Sequence, residues 1–215
     1  MDRKEFVDAI KKARENPKER KFKQSFDLAV NFKNLDTKKP ENKIKAEVLL
    51  PKGLGKEPVI GIFADSLIPH IKKIDNVILI KKDEIEGLKA NKKQAKVIAG
   101  QCYAFLCEAP LMPLVAKYLG PILAVRNKMP KPVPPTLPNI EPLVKNSRNT
   151  VRVAVKDSPA LHCRIGHEDM SDEDIAENAF AVVKAVEGAL PKGLNQVRNA
   201  YVKLTMGKPI KIVIK

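Results

Sequence analysis

The two ends of this chain alternate polar and apolar residues, whereas its middle contains short, unbroken apolar runs. In KFKQSFDLAVNF the apolar side chains fall mainly on even positions over residues 22–32, and residues 44–50 repeat this pattern. A period of two is typical of strands with one buried face. Between residues 59 and 108 the runs VIGIFA, VILI and YAFLCEA do not alternate, which predicts strands buried on both faces. The sequence therefore predicts two sheets of different kinds, with helices between the strands.

Alternation returns in the C-terminal third of the chain. NTVRVAVK places three valines on one face of a strand, ALHCRIG predicts a second strand, and YVKLTM and PIKIVIK predict a hairpin that turns at residues 207–208. Amphipathic helices are expected over residues 2–16 and over residues 171–191, where Ser171 is the candidate N-cap. Both ends of the chain thus carry the same kinds of element.

Because similar strands occur at both ends, we predict an α/β protein whose first, α+β domain is discontinuous. This domain would contain residues 1–62 and 153–215, and a parallel α/β domain of residues 63–152 would be inserted into it. Two strands crossing between the domains, near residues 62 and 153, are expected to act as a hinge. Seven prolines over residues 121–142 predict a long surface segment without regular structure in the inserted domain.

The strongest functional signal in the composition is charge. Forty Lys and Arg residues against 25 Asp and Glu give a net charge of +15, which favours a polyanionic partner, nucleic acid first. Basic and acidic residues number 16 and 10 up to residue 62, 15 and 7 over residues 63–152, and 9 and 8 thereafter. A nucleic-acid surface in the nearly neutral last part must therefore depend on a few placed groups. The alternative is that scattered lysines only keep the protein soluble.

Other sequence features bear on the compartment. The apolar runs are shorter than the roughly 18 to 20 residues of a membrane helix, and the N-terminal sequence MDRKEFVDAI lacks the apolar region of a signal peptide. The three cysteines form no CxxC pair, and we expect them to be reduced and mostly buried. These features predict a soluble protein of the cytoplasm that makes no contact with a membrane.

Residue constellations give little support to an enzyme or a metalloprotein. On a strand, His162 and Cys163 point to opposite faces, so together with His167 they do not complete a zinc site. PKGLGKEP lacks the spacing of a phosphate-binding loop and predicts a turn. We therefore expect no catalytic residue, no metal and no cofactor. A nucleotide-dependent α/β enzyme remains the alternative because of the buried strands in the middle, and a general basic chaperone for nucleic acids is a third hypothesis.

The segment LTMGK is a candidate contact point. Its Thr-Met-Gly tip would present a hydroxyl, a flexible thioether and bare backbone to a ligand together. The same residues also fit an ordinary hairpin turn that binds nothing. The chain has 7 Phe, 3 Tyr and no Trp, so stacking on unpaired bases is not expected to dominate. Contact with the backbone and sugar edges of folded RNA fits the composition better.

Five motifs occur here in the order in which they occur in the L-one family of large-subunit ribosomal proteins: KFKQSFDLAVNF, LPKGLGK, LGPILAVRNKMPKPVPP, ALHCRIG and LTMGK. The sequence resembles the archaeal type of this family over nearly its whole length. The resemblance implies that both ends form one domain and that the middle forms a Rossmann-like domain. It also implies a monomeric, ribosome-associated protein that binds the stalk junction of large-subunit rRNA, assists release of deacylated tRNA from the exit site, and represses translation by binding its own mRNA.

The resemblance further implies an RNA surface on the first domain. Its centre would be Phe22, Ser25, Thr205, Met206 and Gly207. His162, Arg164 and Gly166 would flank this centre, and Lys21, Lys23, Lys203 and Arg164 would contact phosphates. Phe22 presents a conflict, because its even position is shared with the core residues of the same strand. It must either precede the regular strand or lie in the core.

Overall fold

The computed structural model describes residues 3–15, 20–35, 44–71, 74–137, 139–155, 158–190 and 193–212. The helices are α1 Arg3–Glu15, α2 Ile68–Ile71, α3 Lys82–Ala90, α4 Lys92–Gln101, α5 Met112–Val125, α6 Glu141–Asn149 and α7 Asp172–Ala189. The strands are β1 Ser25–Phe32, β2 Lys45–Leu49, β3 Ile60–Phe63, β4 Val77–Ile80, β5 Ala104–Glu108, β6 Lys131–Val133, β7 Thr150–Ala154, β8 Ala160–His167, β9 Val197–Leu204 and β10 Ile210–Ile212. The mixture of parallel and antiparallel sheets confirms the α/β prediction.

The chain divides into two compact units. Unit 1 contains Met1–Lys56 and Asn149–Lys215, and unit 2 contains Glu57–Arg148. The chain crosses between units at 56/57 and 148/149, a few residues before each of the positions, near 62 and 153, that the sequence predicts. The reason is strand pairing, since residue 62 lies inside the parallel sheet of unit 2 and residue 153 pairs with Ala46 of unit 1.

The main sheet of unit 1 is antiparallel and has the order β10-β9-β1-β8. Strand β1 buries alternate residues from Phe26 to Phe32, as its period of two predicts. Helices α1 and α7 pack on each other and against this sheet, and they bury Phe6 and Ile10 of α1 and Val182 of α7. The strand residues of the opposite parity form the other face of the sheet. We call it the open face.

Unit 1 also contains a ribbon formed by β2 and β7, which pair antiparallel. Val151, Val153 and Val155 are 5 %, 1 % and 0 % exposed, which confirms that one face of NTVRVAVK is buried. Helix α7 begins as predicted, because the Ser171 hydroxyl accepts a hydrogen bond from the Asp174 amide. The predicted C-terminal hairpin is confirmed by the pairing of β9 with β10 up to Ile212.

The sheet of unit 2 is parallel and has the order β4-β3-β5-β6. All residues of β3 are buried, as the unbroken apolar runs predict. One face of the sheet packs on α3, α4 and α5, and the other on α2 and α6. Gly61 of β3 is required by this packing, since a Cβ there would lie 2.4 Å from the ring of Phe105.

The proline-rich segment is more regular than predicted. Helix α5 runs through Pro121, β6 contains Pro132, and Pro142 lies in the first turn of α6. Pro132 and Pro142 are tolerated in an edge strand and in a first helical turn, because the missing N–H has no partner to lose there. Pro121 lies inside α5, and the helix continues although an interior proline removes one of its hydrogen bonds. Position in the fold, which the sequence analysis did not consider, therefore decides the outcome for Pro132 and Pro142. Pro138 lies outside the described residues.

The three cysteines are free and buried, as expected. Burial raises the pKa of the Cys102 thiol to about 11 and the pKa values of Cys107 and Cys163 to about 12. The thiolate is the reactive form of cysteine, and raised pKa values keep these side chains protonated at neutral pH. The cysteines therefore serve as small core residues.

Candidate nucleic-acid interface

The turn between β9 and β10 is fastened to the start of β1 by paired hydrogen bonds. The Thr205 amide donates to the Ser25 carbonyl at 3.0 Å. The Thr205 hydroxyl accepts from the Ser25 amide at 3.1 Å and donates to the Ser25 carbonyl at 3.2 Å. Residues 25 and 205, which are 180 positions apart in the sequence, thus form one surface element, and the hydroxyl proton is already engaged. An RNA donor would meet the remaining lone pair of this oxygen.

Two large apolar side chains are exposed at this end of the sheet. Met206 is 54 % exposed and Phe22 is 52 % exposed. Strand β1 begins at Ser25, and the alternation extends one residue further, to the buried Gln24, but not to the exposed Phe22, which resolves the conflict noted for Phe22. Gly207 follows Met206, and a Cβ there would lie 3.0 Å from the Leu204 Cβ. Glycine at 207 therefore lets the turn fold closely over β9.

The lysines that precede β1 differ in their surroundings. Lys21 and Lys23 are both exposed, and the ammonium group of Lys23 lies 2.9 Å from each carboxylate oxygen of Asp169. This hydrogen bond is the main reason why the pKa of Asp169 is lowered. A phosphate that contacts Lys23 would have to share its ammonium group with Asp169 or displace the Asp169 carboxylate.

Charged side chains form a row across the open face. Asp27 of β1 pairs with Arg164 of β8 on one side and with Lys203 of β9 on the other. Burial raises the pKa of Asp27, while Lys203, Arg164 and His162 act in the opposite direction. The predicted phosphate ligands Arg164 and Lys203 therefore have a carboxylate between them, which the sequence analysis did not include in the site.

Residues 205–207 together with Ser25 form what we call the tip. Two of the predicted flanking residues lie away from the tip or below the surface. His162 is exposed and pairs with Ala29, four residues beyond Ser25 and so about 13 Å along the strand. Gly166 is buried, and a Cβ there would lie 3.0 Å from the Ile175 Cγ1. The register between β1 and β8 shifts next to Gly166, after Phe26, as in a β-bulge, which changes the direction of side chains on the strand.

A buried polar side chain supports the tip from below. Gln24 is 3 % exposed, and its side-chain oxygen accepts a hydrogen bond from the Met206 amide at 3.0 Å. Gln24 is not among the site residues predicted from the sequence, although its position carries a signal. Gln24 shares the even parity of Phe26 and Leu28, and a polar residue on a buried face needs hydrogen-bond partners.

The arrangement in unit 1 is a hydrogen-bonded tip next to an open, charged sheet face. Comparison with known proteins gives this surface its context. A family model described as the ribosomal protein L1p/L10e family matches residues 10–208. The chain belongs to this family. The family resemblance that the sequence motifs carry is thereby confirmed.

Three archaeal proteins, each described as the large ribosomal subunit protein uL1, align with nearly the whole chain. The chain is 44 % identical over 212 residues to the large ribosomal subunit protein uL1 of Thermococcus kodakarensis, covering 99 % of this chain and 98 % of the relative. It is 45 % identical over 210 residues to uL1 of Methanothermobacter thermautotrophicus, covering 97 % and 99 %. It is also 45 % identical over 212 residues to uL1 of Methanothermococcus thermolithotrophicus, covering 99 % of both chains. Membership of a ribosomal protein family agrees with the non-enzymatic prediction.

Unit 2 of this L1p/L10e family member has its own candidate position for a ligand. In parallel sheets, ligands bind at the carboxyl ends of the strands where the strand order reverses, which here lies between β3 and β5. The carboxylate of Glu108, at the end of β5, fills this position. It accepts hydrogen bonds from the amides of Asp65, Ser66 and Leu67 at 2.8–3.3 Å. These are amides of the kind that would otherwise bind a phosphate, and Glu108 is only 2 % exposed.

Two further questions are whether the chain has a metal site and whether it has a membrane-spanning helix. His162 is exposed while Cys163 is buried, so they lie on opposite faces of β8, as expected. Among the residues that the structure describes, no group of three or more His, Cys, Asp or Glu side chains is arranged to hold a metal ion. No helix in the described part of the chain is long and apolar enough to cross a membrane.

Proposed function

We propose that this protein is a component of the large ribosomal subunit and binds the stalk junction of its rRNA through unit 1. The names of the archaeal relatives support the subunit assignment. The net charge of +15 supports a polyanionic partner. The tip would recognise the shape of the RNA. The basic residues around it would bind phosphates.

The observation that carries this proposal is the bonding of Thr205 to Ser25. It fixes two hydroxyl-bearing residues at the end of the sheet and leaves the exposed Met206 and Phe22 at the same end. A hydroxyl oxygen with a free lone pair can accept from a ribose 2′-hydroxyl, which distinguishes RNA from DNA. Exposed apolar side chains can pack on sugars and base edges. Such a surface contacts a folded RNA junction without reading a base sequence.

The basic groups have a graded role in this proposal. Lys21 would contact phosphates directly, whereas Lys23 would share its ammonium group with Asp169, and Arg164 and Lys203 would share theirs with Asp27. Asp27 weakens the attraction of the open face for any polyanion. The rRNA must therefore fit the tip to gain enough contacts, which favours shape recognition over charge alone.

The family resemblance adds two further roles to the proposal. We propose that the monomeric, ribosome-associated protein assists release of deacylated tRNA from the exit site. We also propose that it represses translation of its own mRNA, which would present a fold similar to the stalk junction to the same surface of unit 1. If one surface serves both RNAs, then rRNA and mRNA must compete for it.

The proposal is tested by filter binding of the protein to the stalk fragment of large-subunit rRNA and to an unrelated structured RNA of equal length, across a salt series. Non-specific binding through phosphates weakens steeply with salt. Selective binding is expected to persist for the stalk fragment at a salt concentration where the control RNA no longer binds. Equal weakening of both RNAs would overturn the proposal and favour a general basic chaperone.

The nucleotide-dependent enzyme is disfavoured by the same structure. Glu108 supplies a negative charge at the position where a nucleotide phosphate would bind in a parallel sheet. Isothermal titration with ATP, GTP and dinucleotides checks this directly. We expect no binding at micromolar concentrations, and stoichiometric binding would restore the enzyme hypothesis.

A further inference from the structure

The side chain of Gln24 is buried and accepts a hydrogen bond from the Met206 amide of the tip. Its side chain is 3 % exposed, so it cannot itself form a substantial contact with an RNA. A backbone N–H only donates, and the atom of Gln24 that faces the Met206 amide must therefore be the side-chain oxygen. This bond holds the middle residue of the tip from the inside, while the Met206 side chain remains exposed.

The backbone of Gln24 is fixed in turn by Glu168. The Gln24 amide donates to the Glu168 carboxylate at 2.8 Å, and the Glu168 amide donates to the Gln24 carbonyl at 3.0 Å. The residue directly before β1 thus has its amide, its carbonyl and its side chain engaged. Its neighbour Ser25 is bonded to Thr205, so Gln24 and Ser25 together bind two consecutive residues of the tip.

The turn that contains Glu168 is held by Arg14 of α1. The guanidinium group donates to the carbonyls of Glu168 and Met170 at 2.7 and 2.5 Å and to the carboxylate of Asp172 at 2.6 Å. It also lies 5.1 Å from the centre of the Phe26 ring. Arg14, the 168–172 turn and Gln24 therefore form a continuous support from helix α1 to the tip. We call this the Gln24 support.

We propose that Gln24 is a positioning residue for RNA recognition, which it serves by holding the Met206 amide in the conformation that the RNA binds. This inference rests on the proposed function, since it assigns the reason why the tip is preformed. A site that is ordered before binding loses less conformational entropy when its ligand arrives. Without the acceptor of Gln24, the Met206 amide would bond to water and the tip would have to be ordered by the RNA.

The test is the substitution Gln24→Met, which preserves side-chain length and removes the acceptor. We expect affinity for the stalk fragment to fall about tenfold, the effect of one well-placed hydrogen bond. Amide hydrogen exchange at Met206 should become faster in the free protein. The dependence of affinity on salt should keep the slope of the unsubstituted protein, because no phosphate contact is removed. A change in slope would mean that Gln24 acts on the phosphate contacts and would overturn the positioning role.

The control is Val186→Ala, which removes buried apolar volume from α7 about 20 Å along the helix from Asp172. Val186 is 2 % exposed, so this variant measures what loss of stability alone does. It should bind the stalk fragment as the unsubstituted protein does. An equal loss of affinity in both variants would show that Gln24 acts only through stability and would overturn the inference.

The remaining outcomes separate this inference from the proposed function. If the unsubstituted protein selects the stalk fragment and Gln24→Met binds equally well, the positioning role is wrong and the proposed function stands. If the unsubstituted protein does not distinguish the stalk fragment from the control RNA, the proposed function is wrong and the inference falls with it. In that case hydrogen exchange at Met206 still reports whether Gln24 orders the tip.

Discussion

Units 1 and 2 differ in where their polar groups lie and in what these groups are bonded to. In unit 1, helices pack against one face of an antiparallel sheet, and the open face has Asp27, Arg164 and Lys203 side by side. In unit 2, helices pack on both faces of a parallel sheet. The backbone amides at the carboxyl ends of its strands are bonded to Glu108. The charged side chains on the open face of unit 1 remain partly exposed, whereas in unit 2 the amides at the corresponding edge are bonded within the protein.

A domain whose fold is typical of ligand-binding proteins need not contain the ligand site. A parallel sheet with helices on both faces is a frequent scaffold for nucleotide binding, but fold alone does not establish function. The side chains at the critical edge decide it. In this protein they favour recognition by unit 1, and the following predictions test that division.

The largest effect is expected from Phe105→Ala in unit 2. Phe105 is 1 % exposed and stacks on Phe63 with ring centres 5.7 Å apart, so its truncation should destabilise unit 2 by about 3–5 kcal/mol. Calorimetry should show a transition at lower temperature, while binding of the stalk fragment below that transition should change less than twofold. The matched variant in unit 1 is Phe26→Ala, which should destabilise unit 1 and also weaken binding, because Phe26 directly follows Ser25 and its ring contacts Arg14. Loss of binding in Phe105→Ala with unit 1 still folded would extend the RNA surface into unit 2.

Glu108→Ala should have the next largest effect, because three amides, of which that of Leu67 is buried, lose their acceptor. We expect a loss of about 1–3 kcal/mol in the stability of unit 2, measured by chemical denaturation. Glu108→Gln keeps one carbonyl oxygen and should lose less. RNA affinity should be the same in both variants. An unchanged stability of Glu108→Ala would mean that the bonds to the 65–67 turn contribute nothing measurable.

Thr205→Val removes the hydroxyl and preserves the shape of the side chain. Ser25 loses a hydrogen-bond partner and an RNA loses an acceptor, so affinity for the stalk fragment should fall by about 1–2 kcal/mol, or roughly 5- to 30-fold. Filter binding measures the loss, and Thr205→Ser is the control that restores the hydroxyl. If Thr205→Val binds normally while its fold is intact, the Ser25–Thr205 pair is not part of the RNA surface.

The smallest effect is expected from Asp27→Asn, which should strengthen RNA binding about threefold by removing a negative charge next to Arg164 and Lys203. Asp8→Asn removes an equal charge from the exposed surface of α1 and should change affinity less. A weaker affinity of Asp27→Asn than of Asp8→Asn would mean that Asp27 orients the cations for RNA.

Asp27 also predicts how stability depends on pH. Its pKa is raised above the ordinary 3.8 in the folded protein, so the folded state binds more protons than the unfolded state as this group titrates. Its contribution to stability is therefore present below pH 3.8 and is lost as pH rises through the folded pKa. Denaturation at several pH values should show that Asp27→Asn removes this component. A pH dependence identical to that of the unsubstituted protein would contradict the assignment.

Much of the fold follows from periodicity, because burial on one face and on both faces leaves different patterns. The valines at 151, 153 and 155 and the runs of β3 and β5 are predicted correctly for this reason, whereas the run of β4 is only partly buried because β4 is an edge strand. The prolines at 121 and 132 misled the sequence analysis. Pro132 is tolerated because β6 lies at the edge of the assembled sheet, whereas α5 continues through Pro121 despite the helical hydrogen bond that an interior proline removes.

The tip was identified from the family motif, but its supports were not. Thr205 and Met206 stand out as a short, unusual sequence, whereas Gln24, Glu168 and Arg14 are common residues separated by up to 154 positions. Their roles arise from strand pairing that joins distant segments. The parity of Gln24 was the one local signal available, and it indicated burial without naming a partner.

The pairing of β1 has a consequence for synthesis of the protein. Both neighbours of β1, namely β8 and β9, begin at residue 160 or later. At about 5–20 residues per second, roughly 6 to 25 s pass between translation of β1 and the arrival of its first partner. The whole of unit 2 is translated in that interval as one continuous stretch. Unit 2 would therefore be complete before β1 is paired. During that time both edges of β1 would be accessible to chaperones or to incorrect strand pairing.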